Sequence, residues 1–196
     1  MSMRGSAASA PSSPPAPPPL AVAGARLLRL APSGRAEIVD GIARHFDRLA
    51  PGAGITTHLR LCHLLAQAAH ETDGFRTLEE YGGGAYFARY EGRRDLGNTL
   101  AGDGARFHGR GIFQLTGRFN YRRYGALVGI DLEADPERAK EPAVSLATAF
   151  AYWRDRDCNE AADADDIIAV TKRINGGRNG LAQRTRLLAL AKTIWV

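Results

Sequence analysis

Gln67-Ala68-Ala69-His70-Glu71-Thr72-Asp73-Gly74-Phe75 decides how this 196-residue chain is read, because it joins an apolar helix to a small-residue turn and leaves a carboxylate at the junction. Upstream, Thr56 or Thr57 can cap a helix that carries Leu61, Leu64, Leu65, Ala68 and Ala69 toward His70-Glu71. Downstream, Glu79, Glu80 and Glu91 precede a glycine-rich polar stretch. A lone glutamate at a helix end is ordinarily a solvated surface group. Here an apolar face lies on one side and a polar loop on the other, so Glu71 sits half in a desolvating wall, which suits a carboxyl that must deliver a proton. His70-Glu71 could also open a zinc-protease helix of the H-E-x-x-H kind, but residue 74 is Gly74, and His58 and His63 fall on other turns. No metal site is expected.

Working outward, Ile38, Ile42, Phe46 and Leu49 repeat at spacings of four, four and three, one face of a helix that Pro51-Gly52 ends. Residues 82–118 hold glycines at 82, 83, 84, 92, 97, 102, 104, 109, 111 and 117. That segment reads as loop, with a short helical turn at 85–90 and short strands around Arg110 to Leu115. A long loop in a compact domain is usually functional. Helices resume over 118–128, 142–153, 163–175 and 181–195, with Pro142 suited to a first turn and Gly176-Gly177 to a stop.

The run Pro11-Ser12-Ser13-Pro14-Pro15-Ala16-Pro17-Pro18-Pro19 is too poor in apolar groups to pack. The chain therefore divides into a tail, 1–24, and one domain, 25–196. Deleting 1–24 is expected to leave stability almost unchanged. The net charge is +5, from 26 basic and 21 acidic residues. Only Lys140, Lys172 and Lys192 are lysines, and the remaining basic residues are scattered arginines with doublets at Arg93-Arg94 and Arg122-Arg123. They read as solvated surface, which excludes a nucleic-acid stripe but suits steering toward an anionic cell wall. Cys62 and Cys158 form neither a disulfide framework nor a metal-like spacing, so folding in a reducing compartment is inferred. The Cys62-His63 pair points in two directions on a helix and reads as packing. No apolar run is long enough for a membrane span. The N-terminus lacks a secretory h-region, so synthesis in the cytoplasm and delivery by other machinery are expected.

The motif 67–75, followed by Gly109-Arg110-Gly111-Ile112-Phe113-Gln114-Leu115-Thr116-Gly117-Arg118-Phe119-Asn120-Tyr121, resembles the family 19 chitinases and the phage endolysins related to them. Ile174-Asn175-Gly176-Gly177, with Gly180 and Arg184, is similar to the same family's C-terminal signature. The resemblance runs in order over roughly residues 27–196. It implies a mainly α, lysozyme-like fold (α+β in the broad sense), with two helical lobes around a substrate cleft and a small irregular or β element. It implies Glu71 as general acid, Thr116 as the hydroxyl holding the attacking water, and Gln114, Asn120 and Asn175 as substrate contacts. Amides suit hydroxyl and N-acetyl groups because they both donate and accept. Tyr121 is either packing or sugar-facing, and Arg110 reads as a loop brace. For the second carboxylate, the spacing of related endolysins points to Glu80, with Glu91 the alternative base and Glu79 directed elsewhere. Arg93 and Arg94 offer Glu91 a salt-bridge role.

Two carboxyl groups about 6.5–9.5 Å apart would make an inverting glycosidase. The expected activity is cleavage of β-1,4 bonds between N-acetylated amino sugars by a monomer without metal or organic cofactor. The plant cysteine pairs are missing and the loops are short, which favours a peptidoglycan glycan strand over a chitin oligomer. A chitinase and a catalytically dead cell-wall-binding module are the rival readings.

Overall fold

Each apolar face read from the sequence meets a partner in the computed structural model, which describes residues 20–196. The helices are α1 (Gly24–Leu30), α2 (Ala36–Leu49), α3 (His58–Glu71), α4 (Gly84–Phe87), α5 (Asp103–Arg106), α6 (Arg118–Val128), α7 (Pro142–Asp155), α8 (Cys158–Asp163), α9 (Ile167–Asn175) and α10 (Leu181–Ile194). On α2 the expected Ile38, Ile42 and Phe46 are buried. The Thr57 hydroxyl caps α3 by accepting from Arg60 N at 3.3 Å.

The helices close on two cores. The larger gathers α1, α2, α3, α9 and α10 around Leu27, Phe46, Leu65, Phe75 and Leu188. The smaller holds Phe107, Leu115, Tyr121, Tyr124 and Leu132. Helix α7 serves both, giving Leu146, Phe150 and Trp153 to the first and Val144 and Ala151 to the second. Tyr152 packs against both cores, with its ring 5.6 Å from Phe113 and 5.4 Å from Tyr124. The chain is thus mainly helical with two lobes joined through one helix.

Three expectations need correction. Residues 110–115 form no strand: the segment makes the isolated bridges Glu79–Arg110 and Arg110–Leu115, because Gly111 (φ 82°) and Gln114 (φ 48°) fold it back at once. The helix expected from 163 starts at Ile167, where Asp166 Oδ1 accepts from Ile168 N and Ala169 N at 3.0 and 2.9 Å. The separate six-residue α8 precedes it. Finally, the Pro-rich run lies outside the described residues, but the tail boundary at 24 is too late. Val22 is 3% exposed and sits in the larger core, with Leu20 packed against it.

The glycine-rich segment is irregular but tied down by side-chain bonds to backbone. Glu91 accepts from Gly102 N (2.6 Å) and Gly104 N (2.8 Å) at the start of α5, so Glu91 is a cap and not the partner of Arg93, which pairs with Asp95. Buried Asn98 donates to Tyr90 O and accepts from Arg118 N, both at 2.9 Å. Buried Asp103 accepts from Thr99 N and Leu100 N at 3.0 Å and pairs with Arg118.

Burying one valine side chain contributes about 1.5–3 kcal/mol. Deleting residues 1–24 is therefore predicted to lower the melting temperature by about 3–10 °C. Differential scanning calorimetry of the truncated chain checks this, and an unchanged Tm would restore the boundary at 24.

Candidate active site

Glu71 is the last residue of α3, where the helix dipole disfavours an anion. The compensating cation comes from α10. Arg184, 2% exposed, places Nη2 2.5 Å from Glu71 Oε1, donates through Nη1 to Gln67 Oε1 one turn back on α3, and donates through Nε to Asn179 O at 3.0 Å. Gln67, also buried, donates to Thr171 Oγ1 on α9 at 3.3 Å. The wall around Glu71 is therefore not apolar alone, since a guanidinium faces it. Beyond Glu71, Thr72 closes the helix by donating to Ala68 O (2.7 Å) and accepting from Phe75 N (2.9 Å). His70 meets Gln183 Oε1 at 2.8 Å and packs on Gly180, where any Cβ would overlap the ring. Burial and the nearby Arg184 charge lower its pKa, which keeps it neutral.

The three candidate second carboxylates have different surroundings. Glu79 Oε1 meets His108 Nε2 at 2.9 Å, and Oε2 accepts from Lys140 Nζ at 3.1 Å, with Arg110 Nε 3.5 Å away. Burial alone would push its pKa up, but these hydrogen bonds and charges outweigh it and hold the carboxyl below the usual range. Glu91 caps α5. Glu80 accepts at Oε1 from Arg89 Nη2 (2.5 Å) and the Tyr90 hydroxyl (2.8 Å), and at Oε2 from Gly109 N (3.1 Å).

Glu80 and Gln114 converge over Gly109. A Cβ at that glycine would lie 2.7 Å from Gln114 Oε1 and 3.2 Å from Glu80 Oε2, so a larger residue there would push the Gln114 amide aside. The chain from Glu71 returns to this place by a side-chain clasp, since the Tyr81 hydroxyl donates to Asp73 Oδ2 at 3.1 Å. Gln114 holds a left-handed backbone, costly for a non-glycine residue, and its Nε2 donates to Gly111 O at 2.9 Å. Thr116 Oγ1 donates to Gln114 O (3.1 Å), and Asn120 Nδ2 to Thr116 O (2.8 Å). Gln114, Thr116 and Asn120 thus form one bonded string beside Glu80.

Asn175 lies with the Glu71 group. Its side chain bridges Asn179 O (3.0 Å) and Gly177 N (2.8 Å), and Asn179 O also accepts from Arg184. Tyr121 is corrected: it is wholly buried, donating to His108 O at 2.7 Å and accepting from Arg110 at 3.0 Å, so its ring has no open face for a sugar. Tyr152 links the two groups, donating to Ile174 O at 2.8 Å while its ring lies tilted against Phe113. Burial, with the Glu71 charge adding, pushes its hydroxyl up to about 12. Both cysteines are buried, and burial pushes Cys62 up to about 11 and Cys158 to about 12.

The family model described as chitinase class I matches residues 41–178. The chain belongs to glycoside hydrolase family 19. A glycosyl hydrolase family 19 domain-containing protein of Haemophilus influenzae is 29% identical over 177 residues, covering 76% of this chain and 86% of that relative. Acidic endochitinase Q of Nicotiana tabacum is 30% identical over 125 residues, 60% of this chain and 46% of the plant protein. The match spans less than half the length of this and other curated plant endochitinases and chitinases similar in sequence. Chitinase C from Streptomyces griseus superposes with a TM-score of 0.70 at 23% identity, covering 90% of this chain and 77% of that one. A bacterial family 19 chitinase gives 0.68 at 22% identity, over 87% and 95%. These likenesses establish the family 19 fold and glycoside hydrolase class.

Three residues of the site carry no individual signal in the sequence. Arg184 stands out only within the C-terminal signature, and Arg89 and Tyr90 fall in the short helical turn expected at 85–90 with nothing to mark them as site residues. Removing one partner of a fully buried ion pair costs about 3–5 kcal/mol, and less where the other keeps some solvent. Arg184→Met is accordingly predicted to destabilise the family 19 domain by about 2–3 kcal/mol in urea unfolding. A cost below about 1 kcal/mol would show that Gln67 and Glu71 find other donors.

Proposed function

We propose that the protein hydrolyses the β-1,4 bond between N-acetylmuramic acid and N-acetylglucosamine in peptidoglycan with inversion at the anomeric carbon. The observation that carries this reading is the convergence of Glu80 with Gln114 over Gly109, while Glu79 and Glu91 are engaged elsewhere. Glu71 donates its proton to the leaving oxygen, and Arg184 orients that carboxyl through Oε1. Glu80 takes a proton from water, which attacks the opposite face of the sugar. The Thr116 hydroxyl holds the water, and the Gln114, Asn120 and Asn175 amides meet hydroxyl and N-acetyl groups. The site residues act without a metal or organic cofactor and on a monomer.

Peptidoglycan is favoured over chitin by the short loops, by the missing cysteine pairs and by an arginine-rich surface suited to an anionic wall.

Digestion of purified peptidoglycan and of chitin oligomers, followed by mass spectrometry, tests the substrate. Muropeptides with cut glycan and intact stem peptides are expected. Cleavage of chitin oligomers alone would make the protein a chitinase, and no cleavage of either would make it a wall-binding module. Glu71→Gln is predicted to retain the fold and less than about one hundredth of the activity, because an amide cannot deliver the proton. Glu80→Gln should lose at least about 10²-fold in turnover and Glu91→Gln less than about tenfold. The reverse order would move the base to Glu91.

A further inference from the structure

Glu80 is held in an unequal way. A carboxylate oxygen has two in-plane acceptor positions. Oε1 receives two donors, Arg89 Nη2 at 2.5 Å and the Tyr90 hydroxyl at 2.8 Å, whereas Oε2 receives one, Gly109 N at 3.1 Å. Arg89 also donates to the Tyr90 oxygen at 2.6 Å, which closes a three-membered ring of hydrogen bonds on one side of the carboxylate.

We propose that Arg89 and Tyr90 are positioning residues for the second carboxylate, filling Glu80 Oε1 so that Oε2 is the atom that takes the proton from the attacking water. This rests on the reading of Glu80 as the base. In the step, a water O–H bond breaks and its proton goes to Oε2, while the water oxygen bonds to the anomeric carbon. The glycosidic C–O bond breaks with its electron pair going to the leaving oxygen, which takes the proton from Glu71.

Two features say that this grip is built for placement. The Arg89 guanidinium lies 3.7 Å from the Tyr86 ring centre and 4.7 Å from that of Tyr90, so two aromatic faces limit where it can swing. The segment that carries it is anchored on its far side, by Asn98 to Tyr90 O and by Glu91 to the start of α5. Arg89 is 46% exposed in its side chain, and an exposed pair of this kind adds little to stability. Tyr90 keeps its proton, since burial and the bond to Glu80 both raise its pKa. The glycine-rich loop thus becomes a bracket for the base.

The test uses steady-state kinetics of the full chain on short soluble peptidoglycan strands, with chitin oligomers in parallel. Arg89→Met should lower kcat by about 10–100-fold, part of what a base contributes. KM should stay within about twofold and Tm within about 4 °C. Tyr90→Phe should lower kcat about tenfold, and Arg89→Lys should recover much of what Arg89→Met loses. In a Glu80→Gln background, Arg89→Met should cost less than about twofold more, because it acts through Glu80. Unchanged kcat in both Arg89→Met and Tyr90→Phe overturns the proposal. So does a rise in KM at constant kcat, which would make Arg89 a sugar contact, or an undiminished effect in the Glu80→Gln background. If Glu80→Gln itself keeps full turnover, the base reading fails and this inference falls with it. If Glu80→Gln is inactive and Arg89→Met is not, only the bracket is lost.

Discussion

The buried guanidinium of Arg184 is the interaction on which the Glu71 half of the site depends. It ends on three acceptors from different parts of the chain: Gln67 and Glu71 on α3, and Asn179 in the turn before α10. A planar fork can satisfy them together where a lysine ammonium could not. The same arginine therefore seals the packing of α3 on α10, offsets the unfavourable dipole at the end of α3, and fixes the direction of the Glu71 carboxyl. Gln67 extends the tie to Thr171 on α9, and Asn175, bonded to the same Asn179 carbonyl, is carried along.

The second half of the site depends on polar contacts of another kind. The segment from Gly82 to Gly117 contributes little to the larger core, and its shape comes from carboxylates and amides bonded to backbone: Glu91 at α5, Asn98 between Tyr90 and Arg118, Asp103 between Leu100 and Arg118. These bonds present Arg89 and Tyr90 to Glu80, just as the Gly109–Gln114 turn presents its amide from below. One lobe thus orients a carboxyl by packing and a buried ion pair, the other by a hydrogen-bonded loop, and α7 holds the two in register.

How far the sequence could be read follows from which of these forces leaves a periodic mark. The faces of α2 and α3 and the Thr57 cap were legible, because packing against a core repeats every three or four residues. The strand expected at 110–115 was not real, since an apolar run says nothing of the left-handed Gln114 that turns the chain. The capping role of Glu91 was hidden because its partners lie 11 and 13 residues away and are backbone groups. Val22 was lost beside the prolines, where composition outweighed a single buried side chain. At the site, Glu71 stood out by context, but the parts given to Gln114, Thr116, Asn120 and Asn175 came only from resemblance. Tyr121 could not be resolved between packing and sugar contact without knowing that His108 and Arg110 enclose its hydroxyl.

The central claim is that Glu71 and Glu80 act as separate acid and base on opposite faces of one sugar, with no covalent intermediate. Proton NMR of the anomeric signals in the first minutes of digestion, before mutarotation mixes them, tests it directly. Inversion of a β-linked glycan predicts the α-anomer at the new reducing end. Initial appearance of the β-anomer would mean retention and would contradict the two-carboxylate, single-displacement account.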